Sequence, residues 1–390
     1  MSMKKLSKKM LAVVAAGAMT MGLAMPVFAV DGATTPDTKN NAKEAYIKKT
    51  YNTEVKKEMT FNFAATQVKT GEDIVTKDLT CKIPSIHFTS SDLAGDAGTY
   101  TKLSEKITFG NLPEAGKYEY TVTESATTTP AVTNSKNEKL IMSSAEYKMD
   151  VYVVEKSGAL EIGKILVTKT KNDKGDSDST TGKVDIGNIK DNNGFNFTNT
   201  YVQEAGTGPN PSTPDPTYND NGALKVSKTI DAQGETPSTT DSFSFTAKFV
   251  FPEGTDATTL GAKAGEDDLR PGTDGTYTFK LKHNESLKFT GLPVGTTITV
   301  TEAGAANYKA SASVVLNGGT ATTVTAGKYH EDLKAVEDKK LGQKKNTVDV
   351  TNTYDHVPTT GIIMNILPYV LMIALCGAAL FGFVAFKRRR

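Results

Sequence analysis

An internal repeat is the feature that most limits what this chain can fold into. Phe109-Gly110-Asn111-Leu112-Pro113, followed by Tyr120-Thr121-Val122-Thr123-Glu124, is echoed by Phe289-Thr290-Gly291-Leu292-Pro293 and Ile298-Thr299-Val300-Thr301-Glu302. Phe197-Thr198-Asn199-Thr200-Tyr201 is echoed by Val350-Thr351-Asn352-Thr353-Tyr354. Near the start of each copy, Ala45-Tyr46-Ile47-Lys48-Lys49 matches Leu224-Lys225-Val226-Ser227-Lys228. Whatever one half folds into, the other half folds into as well. Each copy carries a Lys early, a Glu in its middle and an Asn near its end.

The copies read as all-β. Met59-Thr60-Phe61-Asn62-Phe63-Ala64, Tyr118 to Thr123 and Ser242 to Thr246 alternate apolar and polar residues with period two, the signature of a half-buried strand. Ile141 to Val154 has some helical character, but the alternation of Tyr147, Met149, Val151 and Val153 favours a strand. A β-sandwich is the simplest architecture that buries such faces. Between the copies, residues 204–221 hold Pro209, Pro211, Pro214 and Pro216 among Gly, Asn, Thr and Ser, which predicts a semi-extended linker. The expected domains are therefore 30–203 and 222–356, each long enough for one core.

The ends predict export and anchoring. Lys4, Lys5, Lys8 and Lys9 precede an apolar run, and Val27-Phe28-Ala29 supplies a small-residue cleavage pattern. Residues 1–29 therefore read as a signal peptide, with the mature chain starting at Val30. Residues 362–386 form an uncharged apolar stretch long enough to span a bilayer, and Lys387, Arg388, Arg389 and Arg390 follow as a cytoplasmic stop. Val357-Pro358-Thr359-Thr360-Gly361 stands directly before that span. Pentapeptide, span and basic tail together resemble a sortase sorting signal, usually L-P-x-T-G, with Val in the first position. The resemblance implies that a sortase cysteine attacks the Thr360 carbonyl and that Gly361 leaves with the tail. Which sortase class reads a Val stays open.

Composition narrows the function. With the basic residues of both ends removed, 37 Lys and Arg face 44 Asp and Glu, a net charge of −7. That argues against a nucleic-acid partner, which calls for a basic face. Cys376 lies in the span, so the mature chain keeps only Cys81, whose alternating apolar neighbours suit a small core residue. No internal disulfide is then possible, and an extracellular chain needs another way to stabilise itself. The four histidines are scattered, and nothing resembles a nucleophile elbow, phosphate loop or metal cluster. Asn172 to Asp178 is faintly like a calcium loop but lacks the closing Glu and reads as a solvated turn. Neither cofactor nor metal is expected, and the chain does not read as an enzyme.

The two Lys–Glu–Asn sets carry a further resemblance. The chain resembles Gram-positive pilin subunits built from immunoglobulin-like (CnaB-type) domains with self-formed Lys–Asn isopeptide bonds, in particular the two-domain streptococcal major pilin type. That likeness implies a Lys49–Asn199 bond promoted by Glu124 and a Lys228–Asn352 bond promoted by Glu302. The residue types suit the chemistry. Burial lowers a Lys pKa and frees a nucleophilic amine, while a buried Glu stays protonated and can hydrogen-bond the Asn carbonyl. Lys48 competes with Lys49, and strand alternation lets only one of them face inward. The likeness also implies a covalent polymer of identical subunits, with Lys190 as first candidate for the accepting lysine and Lys183 as second. Its implied partners are a sortase, minor pilins, peptidoglycan and host receptors, on the cell wall of a Gram-positive bacterium. A solitary wall-anchored adhesin is the alternative.

Overall fold

The computed structural model describes residues 38–355. The expected signal peptide (1–29), sortase motif (357–361), apolar span (362–386) and basic tail (387–390) lie outside the described residues.

The fold is all-β apart from one short helix among the described residues. The first half supplies β1 (Lys48–Thr53), β2 (Met59–Val68), β3 (Cys81–Lys82), β4 (Ile86–Phe88), β5 (Thr99–Leu103) and β6 (Thr108–Phe109). It continues with β7 (Gly116–Thr129), β8 (Glu138–Ile141), β9 (Glu146–Lys156), β10 (Ala159–Lys171), β11 (Gly182–Val184) and β12 (Asn196–Gln203). The helix α1 (Pro216–Asn221) precedes β13 (Leu224–Asp231), β14 (Phe243–Val250), β15 (Lys263–Ala264), β16 (Asp267–Asp268) and β17 (Thr276–Leu281). The chain ends with β18 (Ser286–Thr290), β19 (Thr297–Glu302), β20 (Tyr308–Val315), β21 (Thr322–Thr325), β22 (Leu333–Lys340) and β23 (Thr347–Tyr354).

Each half forms an immunoglobulin-like sandwich of two sheets. In the first, the sheets run β5-β1-β12-β8 and β11-β10-β9-β7-β2-β4, with β3 and β6 as a small extra pair. In the second they run β16-β15-β18-β13-β23-β20-β21 and β17-β14-β19-β22. The strands follow the period-two pattern: Phe243, Phe245, Ala247 and Phe249 of β14 are buried while the residues between them are not. Each buried Phe contributes about 1.5–3 kcal/mol of transfer free energy. Aromatic pairs join the facing sheets. Tyr51 on β1 meets Phe61 on β2 at 5.2 Å between ring centres, and Phe249 on β14 meets Phe289 on β18 at 5.3 Å.

Ile141 to Val154 is strand, as its alternation suggests, but it is broken: β8 ends at Ile141, the chain turns through Met142 to Ala145, and β9 begins at Glu146. Cys81 is partly buried against the core, and burial pushes its thiol up to about 12, which keeps it protonated and unreactive.

Residues 204–221 differ from the expected semi-extended linker. Glu204, Ala205 and Thr207 are buried. Backbone N–H groups of Ala205, Gly206 and Gly208 donate to the carbonyls of Leu292, Gly342 and Gln343, which fastens the segment to the second sandwich. Gly206 has φ 79° and lies against the Gly222 carbonyl where a Cβ would collide, so only glycine fits. The glycines of 204–208 permit close packing there, while most of 209–220 is exposed. The first sandwich also meets the second directly, through the Lys340 Nζ–Glu54 Oε2 ion pair at 2.8 Å and the Val294 N–H donating to the Gln203 carbonyl at 2.8 Å.

Candidate functional site: two buried Lys–Glu–Asn clusters

The first and last strands of each sandwich lie side by side and run parallel. In the first, Lys49 on β1 stands opposite Phe197 on β12, and Tyr51 opposite Asn199. In the second, Lys228 on β13 stands opposite Val350 on β23, and Ile230 opposite Asn352. The offset is the same: each Lys is two positions from its Asn along the ladder. Period two then turns both side chains to one face, inward. The facing sheet supplies the Glu in each case, Glu124 opposite Phe63 and Glu302 opposite Phe245.

The six side chains meet as two near-copies. Lys49 Nζ lies 2.8 Å from Glu124 Oε1, and Asn199 Nδ2 donates to the same oxygen at 3.0 Å. Lys228 Nζ lies 3.0 Å from Glu302 Oε1, and Asn352 Nδ2 donates to that oxygen at 2.8 Å. Each ammonium nitrogen sits over a phenylalanine face, 4.5 Å from the Phe61 centroid and 4.3 Å from that of Phe243. The side chains of Lys49 and Glu124 are 0% exposed, and those of Lys228 and Glu302 are 0% and 1%.

Such burial decides the protonation states. Desolvation lowers both Lys49 and Lys228 to about 8, with the adjacent Glu opposing it. Desolvation likewise raises Glu124 and Glu302, with the adjacent Lys opposing it. Both shifts act in the direction of a neutral amine beside a neutral acid, against the attraction within the pair.

One detail differs from expectation. The Glu faces the Asn amide nitrogen in both clusters, not the carbonyl oxygen. In the first cluster that carbonyl is engaged elsewhere: Ser143 N–H donates to Asn199 Oδ1 at 2.8 Å. Asn352 Oδ1 is buried and receives no hydrogen bond among the described residues.

The remaining candidates lie apart. Lys48 is half-buried and points to the opposite face from Lys49, where Asp191 and Lys190 act on it electrostatically. Lys190 is exposed in the turn closed by Asn193 N–H donating to the Ile189 carbonyl. Lys183 is exposed on β11, opposite Thr168. Sequence reasoning missed Asp173. It belongs to the stretch read as a solvated turn, and Asn172 does cap that turn, accepting from Lys174 and Asp176 N–H groups at 2.9 and 3.0 Å. Asp173 itself points inward, where Oδ1 accepts from Ser143 Oγ at 2.6 Å and Thr198 N–H at 2.8 Å. No cluster of metal-ligating side chains occurs among the described residues.

A family model described as Domain of unknown function (DUF7601) matches residues 222–354. No curated protein matches the chain. Among solved structures, the chain is similar to the major pilin of Streptococcus pyogenes at 18% identity, covering 81% of this chain and 99% of that one, with a TM-score of 0.32. It is also similar to the T3.2 major pilin of Streptococcus pyogenes, at 20% identity over 80% of this chain and 99% of that one (TM-score 0.29). The pilus-presented adhesin Spy0125 (Cpa) matches at 12% identity over 80% of this chain and 99% of that one (TM-score 0.27).

Proposed function

We propose that the chain is the backbone subunit of a sortase-polymerised pilus on a Gram-positive cell wall, and that each of its two domains (30–203 and 222–356) closes itself with a Lys–Asn isopeptide bond. The observation that carries this reading is the pair of buried clusters in which one Glu oxygen touches both the Lys amine and the Asn amide nitrogen. A structural ion pair has no use for a carboxamide held against it in this way, twice and at the same strand register.

The arrangement suits an amide exchange. The neutral Lys amine attacks the Asn side-chain carbon, the carboxyl takes a proton from Nζ at Oε1 and delivers one to Nδ2, and ammonia leaves. Lys–NH2 and Asn–CONH2 become one amide plus NH3, and the Glu ends as it began. Proximity in a fixed, water-free core replaces an external catalyst. The chain is a sortase substrate, and its only chemistry is on itself.

The crosslink would join the first and last strands of each sandwich. Tension entering at β1 would pass through the bond to β12 and bypass the sheets between. The same holds from β13 to β23. No disulfide is needed.

Strand direction supports head-to-tail assembly. The end of β1 faces the second sandwich through Glu54, and its start lies near Lys190. β13 leaves the junction and β23 runs parallel to it toward Tyr354. Lys190 and Tyr354 therefore both lie away from the junction, one on each sandwich. An acyl-enzyme at Thr360 of one subunit would be resolved by Lys190 of the next.

Lys190→Ala in the native host should abolish the high-mass ladder seen on denaturing gels of cell-wall extracts. A ladder retained in Lys190→Ala and lost in Lys183→Ala would move the acceptor to β11. Wild-type cells yielding only monomer would favour the solitary wall-anchored adhesin.

A further inference from the structure

The two clusters differ at the carbonyl oxygen. In the first, β8 pairs with β12 only from Ile141↔Thr200 to Glu138↔Gln203 and then leaves it. The chain turns through Met142 and Ser143 above the β12 residues that β8 no longer covers. There Ser143 N–H finds Asn199 Oδ1 at 2.8 Å, and Met142 Sδ lies 3.2 Å from Asn199 Nδ2. In the second, β20 covers β23 without a break from Thr347 to Tyr354, so its N–H groups stay in the ladder and none reaches Asn352 Oδ1.

Asp173 fixes the turn. One carboxylate oxygen accepts both from Ser143 Oγ on the turn and from Thr198 N–H on β12, next to the reacting Asn. The Asp173 carbonyl also accepts from Ser144 N–H at 2.9 Å. The turn and the strand are thus tied through one side chain, and Ser143 Oγ in turn accepts from Ala145 N–H at 3.1 Å.

We propose that the Ser143 N–H is an oxyanion donor for the Lys49–Asn199 reaction, and that Asp173 is the residue that positions it. This rests on the isopeptide reading above and deepens it. When Lys49 Nζ bonds to the Asn199 side-chain carbon, the carbonyl electron pair moves onto Oδ1, and the negative charge develops against a donor already in place. Collapse of that intermediate returns the pair to the carbonyl and expels Nδ2 as ammonia. A preorganised donor in a dry site acts on the charge of the transition state and needs no rearrangement as it forms. The second domain does the same chemistry without this donor.

Both bonds form in one chain, so the Lys228–Asn352 bond is an internal control. The full chain is released from cell-free synthesis, quenched in acid at intervals and digested, and crosslinked and free peptides of each domain are quantified by mass. Asp173→Ala and Ser143→Ala should slow the first bond by about tenfold or more, less than the roughly hundredfold or more of deleting an oxyanion donor because the N–H is displaced and not removed, and leave the second unchanged. Asp173→Asn, which keeps an acceptor oxygen, should restore most of the rate. Unchanged first-bond rates in both Asp173→Ala and Ser143→Ala would overturn the proposal. So would an Asp173→Asn chain as slow as Asp173→Ala, because charge rather than position would then be at work. If neither bond forms in wild type, the isopeptide reading itself fails, which is a different outcome from a second bond forming beside an indifferent first.

Discussion

Glu302→Ala is expected to leave the second domain uncrosslinked and to lower its melting temperature by roughly 15–20 °C. The proposed bond from residue 228 to residue 352 would close a loop of more than a hundred residues, and by the chain-entropy argument such closure contributes about 4–5 kcal/mol. In a domain of this size, each kcal/mol moves Tm by about 4 °C. Glu124→Ala should do the same to the first domain. The variants also orphan a buried Lys, which has its own cost, so Asn352→Ala is the cleaner partner: it removes the bond but keeps Lys228 beside Glu302. Calorimetry of both variants separates the two contributions. A Glu302→Ala chain that melts within a few degrees of wild type and has kept its bond would show that Glu302 promotes nothing.

The second large effect is on pH. Bond formation should slow steeply as pH falls below about 8, the value to which burial lowers Lys49 and Lys228. Only the neutral amine attacks, and each pH unit below the pKa removes up to about tenfold of it. Chains released from cell-free synthesis at pH 6 should therefore crosslink some tens of times more slowly than at pH 8. An equal rate at both would mean that neither lysine is the titrating nucleophile. Linkage gives the same groups a second signature. In Asn352→Ala the folded Lys228 is depressed below its ordinary 10.5, so between about pH 8 and 10.5 the unfolded chain binds more protons. The stability of that variant should rise with pH through this window, through this lysine. Wild type should lack that contribution if its Lys228 is held in the proposed amide.

Much of this was legible in the sequence, for a definite reason. Period two is a local code, so the inward face of β14 could be read from alternation, which also showed that only one of Lys48 and Lys49 can face inward. The internal repeat then aligned Lys, Glu and Asn in the two halves and marked them as one constellation used twice. What the sequence did not carry is what tertiary topology brings together. Ser143 reaches Asn199, and Asp173 holds Ser143 to β12, because β8 leaves β12 at Ile141, and no spacing rule encodes such an ending. Residues 204–221 misled differently. Pro and Gly report backbone conformation and not partners, so residues 204–208, fastened to Leu292, Gly342 and Gln343, read as part of a semi-extended linker.

The most direct test of the central claim is the intact mass of a folded chain spanning Val30 to Thr360. Each isopeptide bond expels one ammonia, so two bonds predict a deficit of about 34 Da from the sequence mass, halved in Glu302→Ala. Fragmentation should then find residue 49 joined to 199 and residue 228 joined to 352. The full sequence mass in a cooperatively folded sample would contradict the account, leaving the two clusters as buried polar packing and nothing more.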